Sequence, residues 1–213
     1  MKKLVLTIAV LGISIGAFAQ GQPMGFGIKA GVNFPKYNFS GDNSSVETGT
    51  STNFHVTAFL DAPIFTDYLY VQPGISLQGK GAKFAEGSFL GRDYEWTQNT
   101  MWLEVPVNIV AKAPTGQVGH LFVGAGPYLA FGLSGKDKVS GDNGSIESDF
   151  KFGNDEDLKG LDFGLNFIAG YQLTSGLMIH GGYGLGLTNL TPDGGGDTKQ
   201  TNRVWTVGLG FAL

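Results

Sequence analysis

Three histidines, His55, His120 and His180, and no cysteine stand in the 213-residue chain, so metal or nucleophile chemistry would have to come from imidazole, hydroxyl and carboxylate groups. A catalytic zinc takes three protein ligands. The three histidines fall on separate stretches that the spacing puts at different heights, so they are not expected to share an ion. The acids Asp142, Glu147, Asp149, Asp155, Glu156 and Asp157 miss the Asp-x-Asn-x-Asn-Gly order of a calcium loop and read as a solvated surface segment. Ser76 and His180 are of the right types for acyl transfer, but no sequence pattern links them to each other or to an acid. The phrase Gly182-Tyr183-Gly184-Leu185-Gly186-Leu187 is followed by no helix start and no Lys-Ser/Thr pair, so it is not a phosphate loop. No catalytic, cofactor or metal residue is assigned. Four charges set among apolar neighbours, Lys29, Glu104, Asp162 and Arg203, are the most informative polar residues. Buried charge is costly unless paired, so these four are expected to neutralise one another inside the fold.

The elements that must hold them are strands. Phe26, Ile28, Ala30, Val32 and Phe34 alternate with Gly27, Lys29, Gly31 and Asn33, the period-2 pattern of a strand with one oily face. The pattern returns around Phe54–Leu60, Leu69–Gln78, Leu103–Ile109, Leu121–Leu133, Leu161–Tyr171, Leu177–Leu187 and Trp205–Leu213, which makes eight strands. The 35 glycines are more than twice the usual share of about 7%. They fall mostly between the bulky apolar residues. Charged residues make up 15% of the chain, against about 25% in ordinary soluble domains. A soluble barrel would turn its bulky set inward and a charged set to water. Here the alternate set is small and polar, which suits the narrow interior of a closed eight-stranded barrel, with the bulky set facing lipid. The expected fold is all-β: an eight-stranded antiparallel up-and-down transmembrane β-barrel.

The N-terminus supports export. Met1-Lys2-Lys3, an apolar run to Phe18 and the small-residue site Ala17-Phe18-Ala19 have the order of a signal peptide, expected over residues 1–19 with the barrel domain over 20–213. Between strands, long and short connections alternate: long over Pro35–Ser51, Gly81–Thr97, Ser134–Lys159 and Asn189–Lys199, short over Asp61–Thr66, Ala113–Gln117 and Gln172–Gly176. Outer-membrane barrels put short turns in the periplasm and long loops outside, so both chain ends are expected on the periplasmic side. Phe65, Tyr68, Tyr70, Trp96, Trp102 and Trp205 are expected in interfacial girdles. The Ser134–Lys159 loop is too polar to order itself, except that Phe150 and Phe152 are placed to pin it to the rim or touch a partner.

The phrases MWLEVPVNIVAK, FVGAGPYLAFGLSG, GLDFGLNFIAGYQL, IHGGYGLGLTNL and NRVWTVGLGFAL together resemble the PorT-like outer-membrane β-barrel domain family common in Bacteroidetes. The resemblance covers the whole mature chain and implies a fold and an outer-membrane location. It implies no shared reaction, and PorT itself is associated with a protein-secretion system. Leu213 departs from the aromatic residue usual at barrel C-termini, although Phe211 lies on the same face. A net charge of −4 offers nucleic acid no basic footprint. The expected protein is a monomeric, non-enzymatic barrel in contact with outer-membrane lipid. Its interior is plugged by side chains rather than open as an ion path, and its loops shield the membrane or bind a partner. The alternative role is an accessory of secretion or uptake with a periplasmic or membrane protein partner.

Overall fold

The computed structural model describes residues 24–41, 44–64, 66–89, 92–141, 144–154, 156–193 and 198–213. The leader expected over residues 1–19 lies outside these, as do Asp142, Asp155 and Phe65. The strands are β1 (Gly25–Gly41), β2 (Ser44–Glu47), β3 (Asn53–Ile64), β4 (Thr66–Phe89), β5 (Arg92–Pro114), β6 (Gly119–Gly141), β7 (Gly144–Phe150), β8 (Leu161–Leu173), β9 (Leu177–Gly186) and β10 (Lys199–Ala212). Eight of them run β10-β9-β8-β6-β5-β4-β3-β1, every neighbour antiparallel, and β1 returns to β10 from Gly27↔Ala212 to Ser40↔Lys199. The sheet therefore closes into a ring and leaves no strand edge in the barrel wall. The short strands β2 and β7 lie off that ring as hairpin returns on β1 and β6.

The oily set faces out. Phe26, Ile28, Val32 and Phe34 of β1 and Trp205, Val207, Leu209 and Phe211 of β10 are all exposed, while Lys29, Asn33 and Val204 between them are buried. The glycines opposite have a steric use that alternation alone does not state. Gly27 pairs with Phe59, Gly170 with Phe122 and Gly164 with Tyr128. A Cβ at Gly27 or Gly170 would stand 2.5 Å from the ring of the paired aromatic, and one at Gly164 would stand 2.6 Å from Tyr128. Each ring thus lies flat over a bare stretch of the neighbouring strand, so large aromatics fit inside a narrow barrel.

Much of three expected loops is strand. β4 and β5 remain paired to Phe89↔Arg92, which covers the described residues of 81–97, and β1 continues through Pro35 to Gly41 before β2 turns back on it. Within Ser134–Lys159, β6 runs on to Gly141 and β7 pairs back along it from Gly141↔Gly144 to Gly135↔Phe150. The physical reason is that the hairpin orders these polar residues through ladder bonds to a chain neighbour, with no core required. At about 3.3 Å per residue, the 24 residues of β4 and the 23 of β5 far exceed the roughly 9–11 needed to cross a bilayer. Their upper halves stand clear of it.

Where strands leave the barrel, the register slips. The β5–β6 pairing passes from Trp102↔Gly132 to Met101↔Ser134, and β4–β5 skips between Lys83 and Ala85. Leu133 is thereby the extra residue of a bulge, and beyond it odd-numbered β6 residues turn to the inner face. Asp137 accepts there from the buried Gln98 at 3.1 Å. The short connections, Ile64–Thr66, Pro114–Gly119 and Leu173–Leu177, all lie at the end that holds the chain termini. Gly116 and Gly176 take positive φ of 84° and 92° in two of these turns.

Candidate functional site

The interior of the barrel gathers the charges in two layers. In the upper layer the Lys80 amine lies 3.1 Å from both Glu104 and Asp162, and all three side chains are buried. Asp162 also accepts from Tyr128 at 3.1 Å and from Asn202 at 2.8 Å, and Glu104 accepts from Asn166 at 2.8 Å. The ring of Tyr128 faces the same amine at 4.4 Å. Buried carboxylates and an ammonium hold together only when pairing and further hydrogen bonds replace water, and this layer supplies both. In the lower layer Lys112 pairs with Asp61, which accepts from Gln72 at 3.0 Å. The Lys112 amine stands 4.0 Å over the Tyr70 ring and that of Lys29 4.3 Å over Phe59, cation–π contacts that help hold charge away from water.

Of the four charges expected to form the network, Glu104 and Asp162 meet in the upper layer and Lys29 joins the lower one. Arg203 does not face the lumen. It shares the outward parity of Trp205, and its guanidinium caps the Gly186 and Asn202 carbonyls at 2.8 Å each and the Thr201 hydroxyl at 3.0 Å. Lys80, Lys112 and Asp61 were not singled out from the sequence. Each continues an inward alternation, Lys80 after Ser76 and Gln78, Lys112 after Glu104 and Asn108, Asp61 after Thr57 and Phe59, at or beyond the end of the oily stripe.

Between the layers two of the three histidines come together, contrary to the expected separation. The His55 and His180 rings are 5.4 Å apart, reaching towards each other over the wall in which Gly31 faces Gly208. Asn33 fixes the tautomer of His55. Its amide nitrogen donates its two hydrogens to Gln78 at 2.8 Å and to the Gly79 carbonyl at 2.9 Å. Its oxygen is therefore left to accept from His55 Nδ1 at 2.8 Å. A cavity of about 70 Å³ opens here, lined by Lys29, His55, Thr57, Asn108, His180 and Thr206 among others. A single water needs about 10–15 Å³ of such space, so it takes a few waters and no organic ligand. His120 stands apart near a turn, 3.1 Å from Gln172. Among the described residues no group of three or more His, Asp and Glu gathers around a common point. The Ser76 hydroxyl bonds Thr57 at 2.6 Å, the Val56 carbonyl at 3.2 Å and Gln78 at 3.0 Å, with no histidine among these partners.

Both ends of the lumen are stopped by apolar clusters. Phe59, Val110, Phe122, Met178 and Ala212 close the end nearer the termini. At the other end Tyr37, Trp102 and Tyr128 pack with Leu158 and Leu190, which come from the segments that follow β7 and β9. Lys159 N–H donates to the Leu190 carbonyl at 3.0 Å, which ties these two segments over the mouth. Phe152 lies edge-on to Trp102 at 4.9 Å, whereas the side chain of Phe150 is outside the described residues. Trp102 and Tyr70 thus line the interior instead of the expected girdle, and Trp96 stacks on Phe84 at 4.7 Å on the inner face of the extension. Trp205 does face outward, with Tyr183 beside it at 4.7 Å.

Among solved structures, the outer membrane protein OprG from Pseudomonas aeruginosa aligns over 89% of this chain and 95% of its own at 12% identity and a TM-score of 0.48. Ail, the attachment invasion locus protein of Yersinia pestis, aligns over 90% and 100% at 16% identity and a TM-score of 0.42. Neisserial surface protein A aligns over 90% and 99% at 13% identity and a TM-score of 0.41. Likenesses this distant carry no argument about function. No curated relative matches significantly. Residues 18–191, by contrast, match a defined family and include the strands that supply Lys80, Glu104 and Asp162: the chain belongs to the outer membrane protein beta-barrel domain family.

Proposed function

We propose that this protein is a non-enzymatic, non-conducting outer-membrane barrel, exported with loss of residues 1–19, that carries a rigid β-extension outside the cell as a contact surface. The observation behind the closed lumen is the Lys80–Glu104–Asp162 layer, fully buried beneath Trp102, Leu158 and Leu190. An ion crossing the barrel would have to break those pairs in a low-dielectric interior, where separating buried charges costs several kcal/mol. Planar-bilayer recording tests this reading. The purified barrel is expected to give no steady single-channel steps, and reproducible conductance overturns it.

The second reading, an accessory of a PorT-like secretion system, draws its support from the resemblance of the phrases that carry Glu104, Lys112 and Asp162, and it uses the same closed barrel. Co-purification from gently solubilised membranes separates the two. A stable complex with periplasmic or membrane proteins favours the accessory role, and a lone monomer favours the surface barrel.

A further inference from the structure

Above the membrane the upper parts of β4, β5 and β6, with β7, form a four-stranded wall whose two faces differ in chemistry. The outer face carries ion pairs, Lys83 with Glu95 at 2.8 Å and Lys136 with Glu147 at 3.4 Å. The inner face carries a cross-strand row in register, Ala85, Trp96, Val139 and Ile146. Exposure rises along that row, from 41% at Trp96 through 49% at Val139 to 78% at Ile146. The row is barest where the ladder ends, for among the described residues β7 pairs with β6 alone. Only two residues separate Gly141 from its ladder partner Gly144, a spacing at which the closing pair of a hairpin is a hydrogen-bonded one, with bonded and non-bonded pairs alternating from there. Ser145, Glu147 and Asp149 therefore turn their N–H and C=O groups to the open edge. Exposed edges are usually blunted by charged side chains, lysine above all, or by proline or a bulge. Gly144–Phe150 reads GSIESDF: it has no lysine, proline or bulge, and the charges it carries, Glu147 and Asp149, are both acidic, so they repel like edges and favour a basic one.

We propose that the β7 edge is a docking site for an extended segment of a partner protein, added as one more strand, apolar at every second position and basic between. The apolar positions prolong the Trp96–Val139–Ile146 row. The basic ones fall beside Glu147 and Asp149 on the outer face, where the wall's own lysines, Lys136 and Lys138, stand one strand further in. A second copy of this chain fits less well, because pairing β7 with itself brings its acids against their own kind, and like charges directly opposite destabilise a sheet. The proposal rests on the extension being the contact surface.

The test uses the full-length barrel in lipid nanodiscs, titrated with fluorescent peptides of alternating valine and lysine or alternating valine and glutamate. The lysine peptide is expected to bind and the glutamate peptide not. Ser145→Pro removes an edge N–H but no bond to β6, and should weaken binding about tenfold or more while heat-modifiable migration of the barrel stays unchanged. The pair Glu147→Lys with Asp149→Lys should reverse the preference. Four results overturn the proposal: binding of neither peptide, equal binding of both, indifference to Ser145→Pro, or self-association of the barrel that Ser145→Pro abolishes. Nanodiscs leave both ends of the barrel open to peptide, so insertion direction does not affect the result. Bilayer current judges the closed lumen separately, so either reading can fail alone.

Discussion

Lys80 neutralises two carboxylates at once, Glu104 and Asp162, with all three side chains buried in the lumen. Its replacement by methionine leaves two buried carboxylates without their cation, and the expected loss is about 3–5 kcal/mol, measured by urea unfolding of the micelle-bound barrel. The combined exchange Lys80→Met, Glu104→Gln, Asp162→Asn removes the orphaned charges and should recover most of that loss. Recovery would show that the layer specifies an arrangement more than it adds stability. The sequence made half of this site legible. Glu104 interrupts apolar alternation in mid-strand, and Asp162 stands between Leu161 and Phe163 at the start of β8, so each is a charge set between bulky apolar residues. Lys80, Asp61 and Lys112 sit near the ends of the oily stripes, where a charge resembles the start of a turn, and only continued counting of the period separates the two. Arg203 failed by the same count, since it stands two residues before the outward Trp205.

Strands and their glycines set the next scale. Alanine at Gly170 would place a methyl 2.5 Å from the Phe122 ring, and overpacking of this kind costs about 1–3 kcal/mol. At Gly181, whose nearest neighbour to a new Cβ is the Thr206 carbonyl at 3.5 Å, the same exchange should leave stability unchanged or slightly raised. Thermal unfolding of the two variants in one detergent checks the contrast. The β4–β5 extension should respond to acid. Hydrogen bonds from Lys83 and Thr97 hold the Glu95 carboxyl below its ordinary value of 4.5. A lowered folded value stabilises at pH above that ordinary value and is lost as pH falls through the folded one. Mild proteolysis of the extension should therefore quicken only below about pH 4.5, and weakly, because the pair is partly exposed. Alternation marked all eight ring strands because lipid demands an unbroken apolar stripe. It did not mark the extensions, where the ladder is paid out in water and polar side chains are permitted on both faces. The turn residues Gly141-Asp142-Asn143-Gly144 were the remaining signal of a hairpin there.

The molecule as a whole is an oily belt around a buried, charged centre, with a two-faced wall above it, polar outside and apolar within. Lysine at Val107 or Phe167, on the outward face in mid-strand, should cost about 2–4 kcal/mol in lipid, read from the urea midpoint in liposomes. If neither variant shifts the midpoint, the faces are assigned the wrong way round. Protease added to intact cells should cut the β6–β7 extension and leave an embedded core, and protection until the outer membrane is opened would reverse the topology.

The seam between β1 and β10 has a kinetic meaning. Ring strands other than these two pair with near neighbours along the chain, but Gly27 meets Ala212 across almost the whole described sequence. Local hairpins form early and the longest loop closes late, so the ring cannot close until every intervening strand is in place. A chain cut before β10 is thus expected to be an open sheet, with unpaired backbone along β1 and β9 that hydrocarbon does not tolerate. It should fail to insert at all. The same seam, once shut, protects the finished barrel. Unfolding cannot fray inward from a chain end as it does in an open sheet, because both terminal strands are held along their length by each other, and the barrel's lifetime is set by the rate at which that single join comes apart.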